Sequence, residues 1–306
     1  MLICVDWGTT NARAWLVDRD GTVSARASSK AGMSGLSPDT FAPALEELIG
    51  AWRTDRPRVP VLMSGMVGAR GGWQEVPYVS CPFDAGALSG GLVEVAPKTW
   101  IVPGARILRV VGTEPVRDVM RGEEVQILGA LQGPERITAL CLPGTHSKWV
   151  DLPGGRIDRF ATFMTGELFA LLAGHSVLAR SVGEPTDRPF SKAFEDGVAV
   201  GRAAPLASAL FGVRTRDVVA ELPANQNRAF LSGLLIGHEL EGALKDLSAS
   251  LSPRIGLCGQ PSLVALYRRA LSAMDVEGVA IDVEGATLRG HLAVAEAAGI
   301  LGEGEP

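Results

Sequence analysis

Residues Asp6-Trp7-Gly8-Thr9-Thr10-Asn11-Ala12-Arg13 put a carboxylate, a glycine, two hydroxyls, an amide and a guanidinium into one short string. Glycine lets the backbone turn tightly and approach a ligand, and successive N–H groups in such a turn form a concavity for an anion. Gly8, Thr9, Thr10, Asn11 and Arg13 thus offer donors suited to a terminal phosphate. Asp6 beside them is suited to Mg2+, which keeps much of its water and takes one or two carboxylates plus phosphate oxygens. The plain alternative is an Asx-type hairpin turn without a ligand. Against it stands a second string, Pro143-Gly144-Thr145-His146-Ser147-Lys148, in which Gly144-Thr145 repeats Gly8-Thr9. Leu142 takes the place of Asp6 there, so the second turn offers donors and the cation of Lys148 but no carboxylate. His146 reads as a neutral donor or a packed turn residue rather than a nucleophile.

Strands must hold both turns. Apolar runs at Leu2–Val5, Ala12–Val17 and Thr22–Ala27 read as a β-meander, and the spacing of Phe41, Leu45, Leu48, Ile49 and Trp52 predicts a helix over 39–52. A strand at Pro60–Ser64 precedes a loop-rich stretch, 65–109, that reads as an insertion walling a pocket; a short strand at 100–102 and a helix over 123–131 follow. The pattern then restarts: Ala139–Leu142, a Gly-Thr turn, and a strand bearing Trp149 as the earlier one bears Trp15. Repeated units mark repeated lobes. The boundaries expected are 1–134 and 135–285, with a C-terminal helix within 286–306 crossing back to the first lobe through its small residues Ala293, Ala295, Ala297, Ala298 and Gly299. In the second lobe, helices are expected near 167–179, 194–204, 224–244 and 262–273, and strands at 254–258 and 278–281.

With 306 residues the chain can fill two cores. A net charge of −5 and the lack of any Lys/Arg run argue against nucleic acid as a partner. No apolar run reaches the ~20 residues of a membrane span, and the N-terminus enters a strand at once, so a membrane partner and a signal peptide are not expected and the cytoplasm is. The four cysteines form no CxxC pair and read as buried thiols. His238-Glu239-Leu240-Glu241-Gly242 begins like a zinc-protease helix but lacks the second histidine, and neither a P-loop, a Rossmann GxGxxG nor a GxSxG elbow occurs.

The string DWGTTNARAWL resembles the first phosphate loop of the carbohydrate-kinase and actin superfamily. Together with SGMVGARGGWQEVPY (64–78), VMRGEEVQILGA (119–130), PGTHSKWV (143–150), FMTGELFALLAGHS (163–176) and FLSGLLIGHE (230–239), it makes nearly the whole chain similar to the 2-dehydro-3-deoxygalactonokinase family. The resemblance implies an α/β, two-lobed actin-like (ribonuclease H-like) ATPase fold with ATP in the interlobe cleft. It also implies Mg2+ as cofactor and phosphorylation of a sugar acid's 6-hydroxyl. Gly256, Gly259 and Ser262, in a glycine turn near the end, would then contact adenosine. By analogy with glucokinase-like relatives, Glu123 or Glu124 opens a helix where the general base belongs; both otherwise merely favour the helix dipole. Arg121 is the first candidate for the acid's carboxylate. Ser64, Gly65, Met66, Val67 and Gly68 would present backbone donors to the acid and Trp73 would stack nearby, with core packing the competing role of Met66 and Trp73. Thr165, Gly166 and Glu167 are candidates for hydroxyl recognition or for a helix cap. A same-fold kinase for another sugar or aldonic acid, and a non-metabolic nucleotide-driven conformational ATPase, are the alternatives.

Overall fold

The computed structural model describes residues 1–111, 113–184, 192–247 and 254–301. It divides into two compact units, one made of Met1–Arg136, Gly154–Arg159 and the chain from Asp282, the other of Ile137–Pro153 and Phe160–Ile281.

In unit 1, β1 (Leu2–Trp7) is buried along nearly its whole length, as befits a central strand covered on both faces. β2 (Ala12–Val17) runs antiparallel to it, and β3 (Val23–Ser29) alternates half-buried and exposed positions as an edge strand does. α1 (Phe41–Asp55) buries Phe41, Leu45 and Ile49, a stripe with helical period. β4 (Val61–Gly65) then lies parallel to β1. There follow β5 (Tyr78–Ser80), α2 (Ala85–Gly90), β6 (Val93–Ala96), β7 (Thr99–Ile101), β8 (Gly104–Val111), β9 (Glu114–Met120) and α3 (Glu123–Leu131). The main sheet has the order β3-β2-β1-β4-β7-β6, and a second sheet the order β5-β8-β9.

Unit 2 contains β10 (Ala139–Leu142), β11 (Ser147–Asp151), β12 (Arg159–Phe163), α4 (Thr165–His175), α5 (Ala179–Val182), α6 (Lys192–Ala203) and α7 (Leu206–Val218). α8 (Ala224–Asp246), β13 (Arg254–Leu257), α9 (Pro261–Ser272) and β14 (Glu277–Ala280) complete it. Its sheet order, β12-β11-β10-β13-β14, reproduces β3-β2-β1-β4-β7. The strand directions match too: antiparallel across each hairpin, then parallel to the next two strands. The duplication seen in the Gly-Thr turns therefore extends to five strands per unit. α6 and α8 cross closely because glycines stand four apart on both, Gly197 and Gly201 against Gly233 and Gly237, each meeting the other helix's backbone.

The closing helix, α10 (Val283–Ala297), packs on α3 within unit 1. The close approach is made by Gly290, against the Val125 carbonyl, and by Gly129 of α3, against the Ala286 carbonyl, rather than by the alanines nearer the end; Ala297 is exposed. Residues 302–306 of that expected segment lie outside the described residues. A methyl group at Gly129 would overlap backbone, so Gly129→Ala should cost about 1–3 kcal/mol or more, read as a lower melting temperature.

Two expectations need correction. The 65–109 stretch, expected as a loop-rich insertion with one short strand at 100–102, has that strand as β7 but also carries β5, α2 and β6 and leads into β8, whose pairing with β9 was missed. Its strands are short and separated by Gly and Pro, which hides their period. α7 was also missed, because residues such as Phe211 and Val218 stand exposed on it and blur any apolar stripe.

Candidate active site

In unit 1 the hairpin register sets Asp6 opposite Arg13, and the parallel pairing of β1 with β4 sets it beside Ser64. The turn between β1 and β2 is closed by Gly8 N–H donating to Asn11 O at 2.8 Å, while Thr9, Thr10 and Asn11 stay exposed. A segment that sequence reasoning passed over braces this turn from behind. Met33 N–H donates to Gly8 O at 3.1 Å, Ser34 N–H and Oγ both donate to Thr9 O at 2.9 Å, and Gly32 is pressed against the Thr10 backbone where no side chain fits.

After β4, Gly65 takes φ +91°, a left-handed conformation open to glycine. A Cβ there would stand 2.6 Å from Trp7 O and 3.5 Å from the Asp6 carboxylate. Gly122, also left-handed at φ +104°, comes within 3.2 Å of the Gly65 Cα by the same measure. These two glycine turns bring the start of α3 onto the end of β1. Burial raises the pKa of Asp6; the Arg13 charge opposes the rise and that of Glu123 adds to it. Asp6 and Glu123 thus share one electrostatic environment.

The two glutamates differ in access. Glu124 is fully buried, and both its carboxylate oxygens accept from Gly122 N–H, at 2.8 and 2.7 Å. Burial first, and the neighbouring Glu123 charge second, push its pKa from the usual 4.5 to about 8. Glu123 is half-buried and accepts from Arg121 N–H at 3.1 Å. Because the raised group is protonated in the fold before it is in the unfolded chain, its stabilisation is complete below pH 4.5. It is lost as the pH rises towards about 8, at up to about 1.4 kcal/mol per unit. Glu124→Gln should remove that slope from a series of melting temperatures taken across the window.

Arg121 Nη2 donates to Val76 O at 2.7 Å and its guanidinium lies 4.3 Å over the Tyr78 ring. Its Nε and Nη1 are buried without a partner among the described residues. Several neighbours expected to face the sugar are packed inward. Val67 and Gly68 are interior, because the turn at Met66–Gly68 tucks them under Trp73 and Val76, which bond to Val67 O and Gly68 O. Trp73 stacks on Phe41 at 6.4 Å and packs against the core. Ser64 and Gly65 are buried as well, leaving Met66 as the half-exposed member of that string.

In unit 2 the second hairpin pairs Leu142 with Lys148, as the first pairs Asp6 with Arg13. Lys148 is buried, and its side chain forms no hydrogen bond or ion pair among the described residues. Thr165-Gly166-Glu167 belongs to this hairpin: Glu167 N–H donates to Thr145 O at 3.0 Å, Gly166 lies against the Gly144 backbone, and His146 Nε2 meets Glu167 Oε2 at 2.5 Å. Beside Gly144, Thr165 and Gly166 opens a cavity of about 220 Å3, with Phe169 of α4, Ser232 of α8, and Leu263 and Tyr267 of α9 in its wall. Gly259 packs on the carbonyl of Pro143, and Ser262 is exposed in the first turn of α9. Gly256 is a correction: it lies within β13, and the space a side chain would fill is taken by Leu140 and Ile137, so it serves packing. Ser147 is another, being fully buried with its hydroxyl engaged by Tyr267 at 2.9 Å.

The sequence profile of the 2-keto-3-deoxy-galactonokinase family matches residues 6–294. The chain belongs to that family. It is 38% identical over 283 residues to the 2-dehydro-3-deoxygalactonokinase of Escherichia coli strain K12, covering 92% of this chain and 93% of that one. A crystal structure from Sinorhizobium meliloti, provisionally assigned to the same kinase, superposes with a TM-score of 0.87 at 36% identity, over 97% of this chain and 99% of the other. A xylulose kinase from Lactobacillus acidophilus, at 10% identity and a TM-score of 0.50 over 99% and 91% of the two chains, shares the actin-like sugar-kinase fold alone.

One feature of this galactonokinase-family chain was not legible beforehand. Glu239, noticed in the sequence as part of an incomplete zinc motif, lies in the unit 2 core with 1% exposure, while His238 beside it points to solvent. Trp149 Nε1 donates to Glu239 Oε1 at 2.7 Å and Tyr267 OH to Oε2 at 2.8 Å. The Thr165 and Ser147 hydroxyls also favour its charged form, and burial still outweighs all four groups in raising its pKa. No helix among the described residues is long and apolar enough to cross a membrane.

Proposed function

We propose that the protein transfers the γ-phosphate of ATP to the 6-hydroxyl of 2-dehydro-3-deoxy-D-galactonate, with Mg2+, in the cytoplasm. What carries the reading within the structure is the placing of Glu123 within electrostatic reach of Asp6 by the Gly65 and Gly122 turns, in a chain of this family. Among the described residues no three metal-ligating side chains cluster, so a cation held by protein alone does not fit. A Mg2+ held by Asp6 and phosphate oxygens does fit, since the half-buried carboxylate, whose charged form the fold disfavours, gains from a cation. The ion would neutralise charge on the transferring phosphoryl group.

The Gly-Thr turn of each unit is read by itself as a phosphate-binding turn: Gly8, Thr9, Thr10 and Asn11 in unit 1, and Gly144, Thr145, His146 and Lys148 in unit 2. The cavity beside Gly144 takes the base and ribose, with Gly259 and Ser262 at the neighbouring turn. Glu123 accepts the proton of the acceptor hydroxyl, being half-buried and accessible, whereas Glu124 fixes the Gly122 turn on which Glu123 stands. The buried, unpartnered Nε and Nη1 of Arg121 cost about 1–3 kcal/mol each unless an acceptor arrives, and the acid's carboxylate is the acceptor assigned.

ADP release measured with 2-keto-3-deoxy sugar acids, plain sugars, aldonic acids and no acceptor separates this reading from a kinase for another sugar and from a conformational ATPase. Turnover dependent on the galactonate derivative supports it; turnover with plain sugars only, or independent of any acceptor, removes it.

A further inference from the structure

A carboxylate in a protein core is costly unless hydrogen bonds replace its water, and a buried ion is seldom the most stable choice for such a position. Glu239 is held there by two donors, Trp149 and Tyr267, with the Ser147 and Thr165 hydroxyls beside them, and what these groups belong to is informative. Trp149 and Ser147 are on β11, the return strand of the second Gly-Thr hairpin; Thr165 opens α4, and Tyr267 is on α9. Thr165 and Tyr267 also stand in the wall of the 220 Å3 cavity. Tyr267 is shared, donating to Glu239 at 2.8 Å while lying 2.9 Å from the Ser147 hydroxyl. One carboxylate of α8 thus ties the cavity wall to the strand that carries Lys148.

We propose that Glu239 is a positioning residue for the nucleotide, fixing the phosphate turn at Gly144–Ser147 relative to the base pocket through Tyr267 and Trp149. This rests on the assignment of ATP to unit 2 made above. Glu239 touches no substrate; its part is to make the two halves of the nucleotide's site act as one. A ligand that fills only the base pocket gains nothing from that coupling, whereas one that spans pocket and turn does.

The test is calorimetric titration of the full-length protein with adenosine and, separately, ADP. Wild-type binding of ADP is the control, since its absence would sink the nucleotide assignment rather than this inference. Tyr267→Phe keeps the ring on the cavity wall and removes only the hydroxyl; Glu239→Leu removes the acceptor altogether. In both, ADP affinity should fall about tenfold while adenosine affinity stays within about twofold. Glu239→Gln should rescue most of the loss, because the amide oxygen can still accept from Trp149 and the Tyr267 hydroxyl can accept from the amide nitrogen. If Glu239→Leu does not fold, Tyr267→Phe alone decides. Equal loss for adenosine and ADP, or no loss for either, would overturn the proposal.

Discussion

Asp6→Asn should abolish turnover while leaving the protein as stable as before or more so. Asparagine keeps the shape of the side chain, the β1 ladder and its pairing with Arg13 and Ser64, but removes the charge proposed to hold Mg2+. Loss of such an electrostatic contact at a transferring phosphoryl group predicts a fall in kcat of roughly a thousandfold, about 4 kcal/mol of barrier. Stability should move the other way. Burial raises the pKa of Asp6, against the opposing Arg13 charge and with the Glu123 charge adding to the rise, so the fold disfavours the ionised carboxylate relative to the unfolded chain. Removing a charge whose folded pKa lies above its unfolded one adds stability above that pKa. A melting temperature that rises or holds while activity vanishes is the signature of a functional charge. A variant that unfolds, or that keeps its kcat, would contradict the role given to Asp6.

The second large effect separates the two glutamates that open α3. Glu123→Gln should lower kcat by roughly 10^2 to 10^4, the range expected on removing a general base, with KM for ATP within about twofold of wild type. Glu124→Gln should leave kcat within about tenfold, since that side chain is fully buried and already protonated at neutral pH. Steady-state kinetics of the two variants side by side decides the matter. Were the larger loss to appear in Glu124→Gln, the buried residue would have to reach the acceptor, and the assignment would be reversed.

How far these features could be read from sequence depended on how local they are. The first hairpin is local, so a Gly-Thr turn between two apolar runs was enough to place it. The helix over Glu123–Leu131 follows from its own apolar spacing, and the repeat of the hairpin announced the repeat of the sheet. What escaped notice was mostly non-local. The donors to Glu239 come from residues 28 and 90 positions away, and no spacing rule on α8 marks a carboxylate as buried rather than exposed. The brace at Gly32–Ser34 acts through backbone atoms, which leave little trace in side-chain type. Gly256 was misread because a glycine that admits neighbouring side chains in a strand looks like one that admits a ligand in a turn. Val67 went the same way, whereas for Trp73 the alternative of core packing had been stated, and its stacking on Phe41 is in keeping with that.

The central claim is that phosphate leaves ATP for the 6-hydroxyl of the sugar acid. Phosphorus NMR of the product formed from ATP, Mg2+ and 2-dehydro-3-deoxy-D-galactonate tests it directly, because coupling between phosphorus and the carbon-6 protons locates the new ester. A single phosphomonoester coupled to those protons, formed in step with ADP, is the result predicted. Inorganic phosphate as the main product, or an ester at another carbon, would contradict it.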